Sequence, residues 1–280
     1  METPTSPAIV FYDIAFRPPL AESTCAPNPW KARYALNFKG VPYTTEWVQM
    51  SEISKVRRTV GAPASRKFAD GSDYYTLPML TDSTTNSIIG DSFDIAAYLQ
   101  KTYSVSGAGD LFPAQTLDFV YEHDLALFAP LSVRAADADD NLRAYAQFNT
   151  HVDAAVSAHV PLLAHGLPFD PATAETIRAE FVRRAGVASW DDLAIRGEAR
   201  AKMMDSLCAT LAPLAEMFNR DAAGPFLLGR RASYADLIVG GWLRMMSVTM
   251  PPEEWVDVRA WHGSVFGRLH EALEEYAEVP

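Results

Sequence analysis

The chain has 280 residues, 49% apolar and 21% charged, an ordinary globular balance that excludes a largely disordered or collagen-like chain. Its net charge of -11 lacks the basic footprint of a nucleic-acid binder. Two cysteines, Cys25 and Cys208, make no disulfide framework and fit a reducing compartment.

Charge is unevenly placed: residues 1–105 carry 10 basic and 10 acidic side chains, residues 106–280 carry 14 and 25. Length and this shift predict two domains, residues 1–105 and residues 115–280. Residues 1–7 lack a basic stretch followed by an apolar one, so no secretory signal is read there. The most apolar segment, residues 234–248, carries Asp236 and Arg244 and falls short of the ~20 apolar residues of a spanning helix. The expectation is a cytoplasmic protein whose partners are neither nucleic acid nor membrane.

In chain order, Ile9-Val10-Phe11-Tyr12 is a run of strand formers. A proline-containing loop precedes a helix over residues 30–38, with Trp30, Tyr34 and Phe38 at helical spacing and Gly40 closing it. Tyr43-Thr44-Thr45-Glu46-Trp47-Val48 reads as a second strand. Leu77-Pro78-Met79-Leu80 and Ser87-Ile88-Ile89 read as two short strands joined by a polar turn. Residues 91–99 begin a helix capped by Asp91 or Ser92, with Ile95, Tyr98 and Leu99 as its apolar stripe. The order β-α-β-(α)-β-β-α is that of an α/β thioredoxin-like N-terminal domain.

From Leu117 onward the pattern is helical and predicts an all-α C-terminal domain. One stripe runs Leu142, Tyr145, Phe148, Val152, Ala155 and His159; another runs Met204, Leu207, Leu211, Leu214 and Phe218, with Pro213 expected to kink it. Residues 166–196 form an extra loop-plus-helix segment, longer than a usual connection and expected to fold over a substrate cleft. Ser233-Tyr234-Ala235-Asp236 reads as a capping box with a structural role. His151, His159 and His165 lack zinc-ligand spacing, and no metal site is expected.

Two motifs carry candidate chemistry. Pro78 cannot donate to a strand ladder; a cis Leu77–Pro78 bond would leave the Leu77 backbone free to pair with an extended peptide, and a trans proline opening a strand is the alternative. Asp91-Ser92 can simply cap a helix. It can also serve a zwitterion, the helix N–H groups taking a carboxylate and the Asp an ammonium.

These segments together resemble the glutathione S-transferases over nearly the whole chain. The resemblance rests on Ala26-Pro27-Asn28-Pro29-Trp30-Lys31-Ala32-Arg33-Tyr34-Ala35-Leu36-Asn37-Phe38-Lys39-Gly40, on Thr76-Leu77-Pro78-Met79-Leu80, on Gly90-Asp91-Ser92-Phe93, and on Phe226-Leu227-Leu228-Gly229 followed by Ser233-Tyr234-Ala235-Asp236. Within the superfamily, Pro27-Asn28-Pro29-Trp30-Lys31 and Leu36-Asn37-Phe38-Lys39-Gly40 are most similar to a fungal branch related to bacterial lignin β-etherases.

The resemblance implies glutathione transferase architecture and glutathione as cofactor, with Leu77 pairing the cysteinyl backbone, Pro78 cis, and Asp91 and Ser92 holding the γ-glutamyl end. It implies a small hydrophobic electrophilic substrate and a homodimer. Relatives of this branch often carry a serine where this chain has Ala26. Ser23, Thr24 and the Asn28 amide are therefore the candidate partners of the sulfur. Cys25, near a helix start, is either a thiol nucleophile able to form a mixed disulfide or an inert residue one position away from the expected nucleophile. Three outcomes follow: thiolate attack giving conjugation or ether cleavage, glutathione-dependent trans/cis isomerisation of an alkene in secondary metabolism, or binding of apolar ligands without catalysis.

Overall fold

The computed structural model describes residues 7–68, 71–122 and 140–280. Alternation makes the first strand: in β1 (Ile9–Ile14) every second residue is buried, beginning with Ile9, and the residues between are half-buried. It pairs in parallel with β2 (Tyr43–Val48), Ile9 opposite Tyr43 and Ile14 opposite Val48. A parallel pair needs a crossover, and α1 (Pro27–Phe38) supplies it. The short helix α2 (Ile53–Val60) follows β2. Antiparallel β3 (Met79–Asp82) lies on the other side of β1, Tyr12 opposite Met79, and β4 (Ser87–Gly90) completes a sheet of order β2-β1-β3-β4. Helix α3 (Ser92–Thr102) is capped by Asp91, whose Oδ1 accepts from the Phe93 N–H at 2.9 Å. This is the thioredoxin-like half.

Helix α1 starts three residues before the apolar periodicity does. Pro27 and Pro29 fit a first turn, where their missing N–H groups would have no intrahelical partner.

The second half is helical: α4 (Asp140–Ser157), α5 (Ala174–Ala185), α6 (Gly197–Phe218), α7 (Tyr234–Thr249) and α8 (Pro252–Leu273), the last being two helical stretches joined across non-helical backbone at Trp261, His262, Gly263 and Ser264. The predicted stripes are core except at their first members, Leu142 and Met204, which are half-buried, and His159 is buried beyond the end of α4. Tyr145, Phe148, Val152 and Ala155 are buried on α4, and Leu207, Leu211, Leu214 and Phe218 on α6. Helix α6 continues through Pro213 as one element.

No helix starts at Leu117. Residues 113–122 have neither helix nor strand, residues 123–139 lie outside the described residues, and the next described helix begins at Asp140. Side chains of the helical half hold this stretch instead: Tyr145 Oη donates to the Pro113 carbonyl at 2.8 Å, and Gln115 Nε2 donates to Ser233 Oγ at 2.9 Å.

Helix α1 is buried nearly all round because it lies between α3 and α7. Gly241 permits that approach: a Cβ there would stand 2.6 Å from the Pro27 carbonyl and 3.0 Å from Lys31 Cγ. The start of α7 is fixed by the Ser233–Asp236 capping box. Asp236 accepts from the Ser233 N–H (2.7 Å), the Ser233 hydroxyl (2.8 Å) and the Leu227 N–H (2.8 Å), all buried.

Among the described residues no helix is long and apolar enough to cross a membrane. Nor, among them, does any group of three or more His, Cys, Asp or Glu stand where it could hold a metal ion.

Candidate functional site

The thioredoxin-like half meets the helical half in an apolar cavity of about 270 Å³. Ala26, Asn28 and Leu77 form one wall; Val160, Leu167 and Met245 contribute to the other. A wider groove of about 880 Å³ opens beside it and shares Met50, Ile53, Tyr74 and Tyr75.

The segment 166–196 supplies part of this cavity. Phe181 and Leu193 line it, and the Phe169 ring stacks on Phe16 at 6.4 Å. Trp190 packs edge-on against Phe169 and Phe181, at 5.7 and 6.0 Å. The Arg17 N–H donates to the Pro168 carbonyl at 2.9 Å, tying the segment to the first half. Such an aromatic cluster fixes position as well as excluding water.

Leu77 is buried and its bond to Pro78 is cis. It precedes β3, and among the described residues neither its N–H nor its C=O has a partner. A buried backbone pair of this kind is costly unless something pairs with it. The Asp91 N–H donates to the Pro78 carbonyl at 3.2 Å, which brings the α3 start next to Leu77. Ser92 is buried at the first helical position, and its hydroxyl has no protein partner among the described residues. Asp91 and Ser92 thus stand beside the cavity rather than in its lining.

Asn28 reaches the cavity from the first turn of α1. Since Pro27 and Pro29 have no N–H, Asn28 is the only residue among the first three of that turn with a helical amide to offer. Its side chain adds a carboxamide, whose Oδ1 accepts from Lys31 Nζ at 3.0 Å.

Ser23, Thr24 and Cys25 stand elsewhere; none lines the cavity. The Ser23 hydroxyl donates to the Arg17 carbonyl at 2.5 Å. Thr24 is fully buried, and its hydroxyl donates to Asp13 Oδ2 at 3.1 Å. Asp13 also takes Arg33 Nη2 at 2.7 Å, and neither side chain of that pair is exposed. The Thr24 carbonyl accepts the Trp30 indole N–H at 2.8 Å. These bonds hold the loop before α1 and use up the hydroxyls that the sequence offers to a sulfur.

Cys25 is 0% exposed, packed with Phe16, Phe169 and Ile177, and burial followed by the Asp13 charge pushes its thiol far up. A thiol held in its neutral form is a poor nucleophile. Added to the native protein near pH ~8, a thiol-specific reagent is expected to leave Cys25 unmodified until the chain unfolds. Rapid stoichiometric labelling of Cys25 in the folded protein would contradict this burial.

A four-stranded thioredoxin-like sheet, a helical partner half and an apolar cleft beside a cis-proline loop define the glutathione transferase architecture. The family models agree. Residues 26–102 match the glutathione S-transferase N-terminal domain, and residues 146–276 match the glutathione S-transferase C-terminal domain. The chain belongs to the glutathione S-transferase superfamily.

Among solved structures, it is 29% identical to a glutathione S-transferase of Ceriporiopsis subvermispora in complex with glutathione. That alignment covers 98% of this chain and 99% of the other, with a TM-score of 0.79. It is 26% identical to glutathione transferase GSTFuA3 of Phanerochaete chrysosporium, over 99% of this chain and 100% of that one, with a TM-score of 0.73. A 98-residue stretch is 30% identical to the glutathione S-transferase-like protein ustS of Aspergillus flavus. That match takes in 33% of this chain and 34% of the relative, so it spans about a third of the curated relative's length.

Proposed function

We propose that the chain binds glutathione on its thioredoxin-like half and directs the thiol at an apolar electrophile in the cavity, giving conjugation or cleavage of an aryl ether. The observation that carries this reading is the pairing of Leu77 and Asn28 on one cavity wall. Leu77, itself buried, has no partner for its N–H or C=O among the described residues, and Asn28 brings a carboxamide to a largely apolar surface.

The residues fit the tripeptide. The Leu77 backbone suits an extended peptide, forming a two-bond ladder. Asp91 suits an ammonium, and Ser92 at the start of α3 suits a carboxylate. When bound, glutathione supplies the nucleophilic sulfur. Asn28, through its amide hydrogens, holds the ionised form of a thiol beside it and lowers that thiol's pKa. A free thiol of pKa ~8.5 is only a few per cent ionised at neutral pH, so lowering the pKa by about two units raises the reactive population some tens-fold at most. The remaining acceleration falls to the cavity: Leu167, Phe181 and Leu193 hold the apolar reactant against the Asn28 wall and exclude water. The wider groove beside it gives the far end of a longer electrophile somewhere to lie.

The test is calorimetry with reduced glutathione, followed by thiol consumption with an aryl halide, a conjugated enone and an aryl ether. Saturable glutathione binding and enzyme-dependent thiol loss are expected. Isomerisation of a conjugated alkene without thiol loss would replace this reading with the isomerase. Tight binding of an apolar dye with no thiol loss would replace it with a binding protein.

A further inference from the structure

Lysine is rarely fully buried, yet the Lys31 side chain is 0% exposed in the second turn of α1. Its three N–H bonds meet three acceptors: Asn28 Oδ1 at 3.0 Å, Asn149 Oδ1 at 2.9 Å, and Asp153 Oδ1 in an ion pair. Asp153 is held in turn by the Trp242 indole N–H at 2.7 Å. Asn149 and Asp153 lie on α4 and Trp242 on α7, so the ammonium ties the cavity end of α1 to the helical half.

An ammonium donates and cannot accept. Beside it, the Asn28 carboxamide has one stable orientation, with Oδ1 toward Lys31 and the NH₂ group turned away. The opposite orientation would set donor against donor. Asn28 lines the cavity and Lys31 does not.

We propose that Lys31 is a positioning residue. By occupying Asn28 Oδ1 it fixes the carboxamide so that Nδ2–H, and never the carbonyl oxygen, serves the sulfur. This deepens the proposed function and rests on it. Without Lys31 the carboxamide is free to turn about Cβ–Cγ. A turned carboxamide sets a carbonyl dipole against the thiolate and loses the hydrogen bond that favours it.

The test measures two quantities for each variant: calorimetric affinity for reduced glutathione, and the pKa of the bound thiol from its ultraviolet thiolate absorbance. The variants are Lys31→Met, the charge-neutral pair Lys31→Met/Asp153→Asn, Asn28→Ala, and Lys31→Met/Asn28→Ala. Both Lys31 variants that retain Asn28 are expected to raise the bound thiol pKa by about one unit, roughly a threefold loss of thiolate at neutral pH for a thiol of pKa ~6.5, with glutathione affinity little changed. In the Asn28→Ala background, Lys31→Met should add nothing.

A folded Lys31 variant with the wild-type thiol pKa would overturn the proposal. So would an undiminished increment in the Asn28→Ala background, or a defect confined to glutathione affinity. Should the Lys31 variants fail to fold, the unmodified protein decides. The Asn28 side-chain amide resonance, identified by its loss in Asn28→Ala, must follow the titration of the bound thiol, and an amide indifferent to that titration overturns the assignment. Absence of glutathione binding by the wild-type chain would instead strike the proposed function itself.

Discussion

Asp236→Ala is expected to lower the unfolding free energy by about 3–5 kcal/mol, enough to threaten folding, while touching no residue of the cavity. Asp236 is fully buried and is the partner of three buried donors, the N–H groups of Leu227 and Ser233 and the Ser233 hydroxyl. Alanine leaves all three without an acceptor, and each stranded buried donor costs about 1–3 kcal/mol. The damage falls on the start of α7, the helix that packs on α1.

The same carboxyl gives the variant a pH signature. Burial pushes its pKa up to about 6, with the three donors pulling the other way. The folded chain therefore keeps a proton that the unfolded chain releases near pH ~4. Because the folded state binds more protons between those values, this group's contribution to stability falls as pH rises from about 4 to about 6 and is level above. Urea unfolding of wild type and Asp236→Ala at about pH 4.5 and about pH 7.5 measures it: the wild-type advantage should be larger at the lower pH. An advantage that instead grows with rising pH would mean the carboxylate is better stabilised in the fold than in water.

Asn28→Ala is expected to reduce kcat/KM at neutral pH by about threefold to some twentyfold, with unfolding midpoint and glutathione affinity changed less. A hydrogen bond to a charged acceptor contributes about 1.5–3 kcal/mol, equivalent to about one to two pKa units on the thiol it serves. The donor favours the ionised form, so its removal raises that pKa. The deficit should then shrink toward alkaline pH, as the variant's thiol ionises without help. A pH-rate profile of the two proteins checks this. A deficit that is constant across pH would assign Asn28 to holding the electrophile and not to the sulfur.

The sequence displays local features well. A run of strand formers marks β1, and β-branched and aromatic content marks β2 to the residue. The Asp91 cap and the Ser233–Asp236 box are legible because a capping residue and its partner lie within three positions. Long-range pairing is not legible. Lys31 meets its α4 partners more than a hundred residues away, and nothing in the spacing of α1 announces them. Thr24 has the look of a free hydroxyl near a helix start, and only the fold shows that Asp13 has taken it. One signal was there to be used: Asp13 interrupts an apolar strand and Arg33 interrupts a helix buried on every side, and two such misfits call for each other. Residues 117–122 misled because they run without helix or strand against α4, the Phe119 ring edge-on to Phe148 and the Tyr121 N–H donating to His151 Nδ1, where the sequence pattern alone suggests a helix.

The measurement that bears most directly on the account is a crystal structure of the chain grown with reduced glutathione. It should show the cysteinyl N–H and C=O paired with the Leu77 backbone, the γ-glutamyl end at Asp91 and Ser92, and the sulfur within hydrogen-bond distance of Asn28 Nδ2. A tripeptide bound away from Leu77, a sulfur turned from Asn28, or no tripeptide at saturating concentration would contradict it.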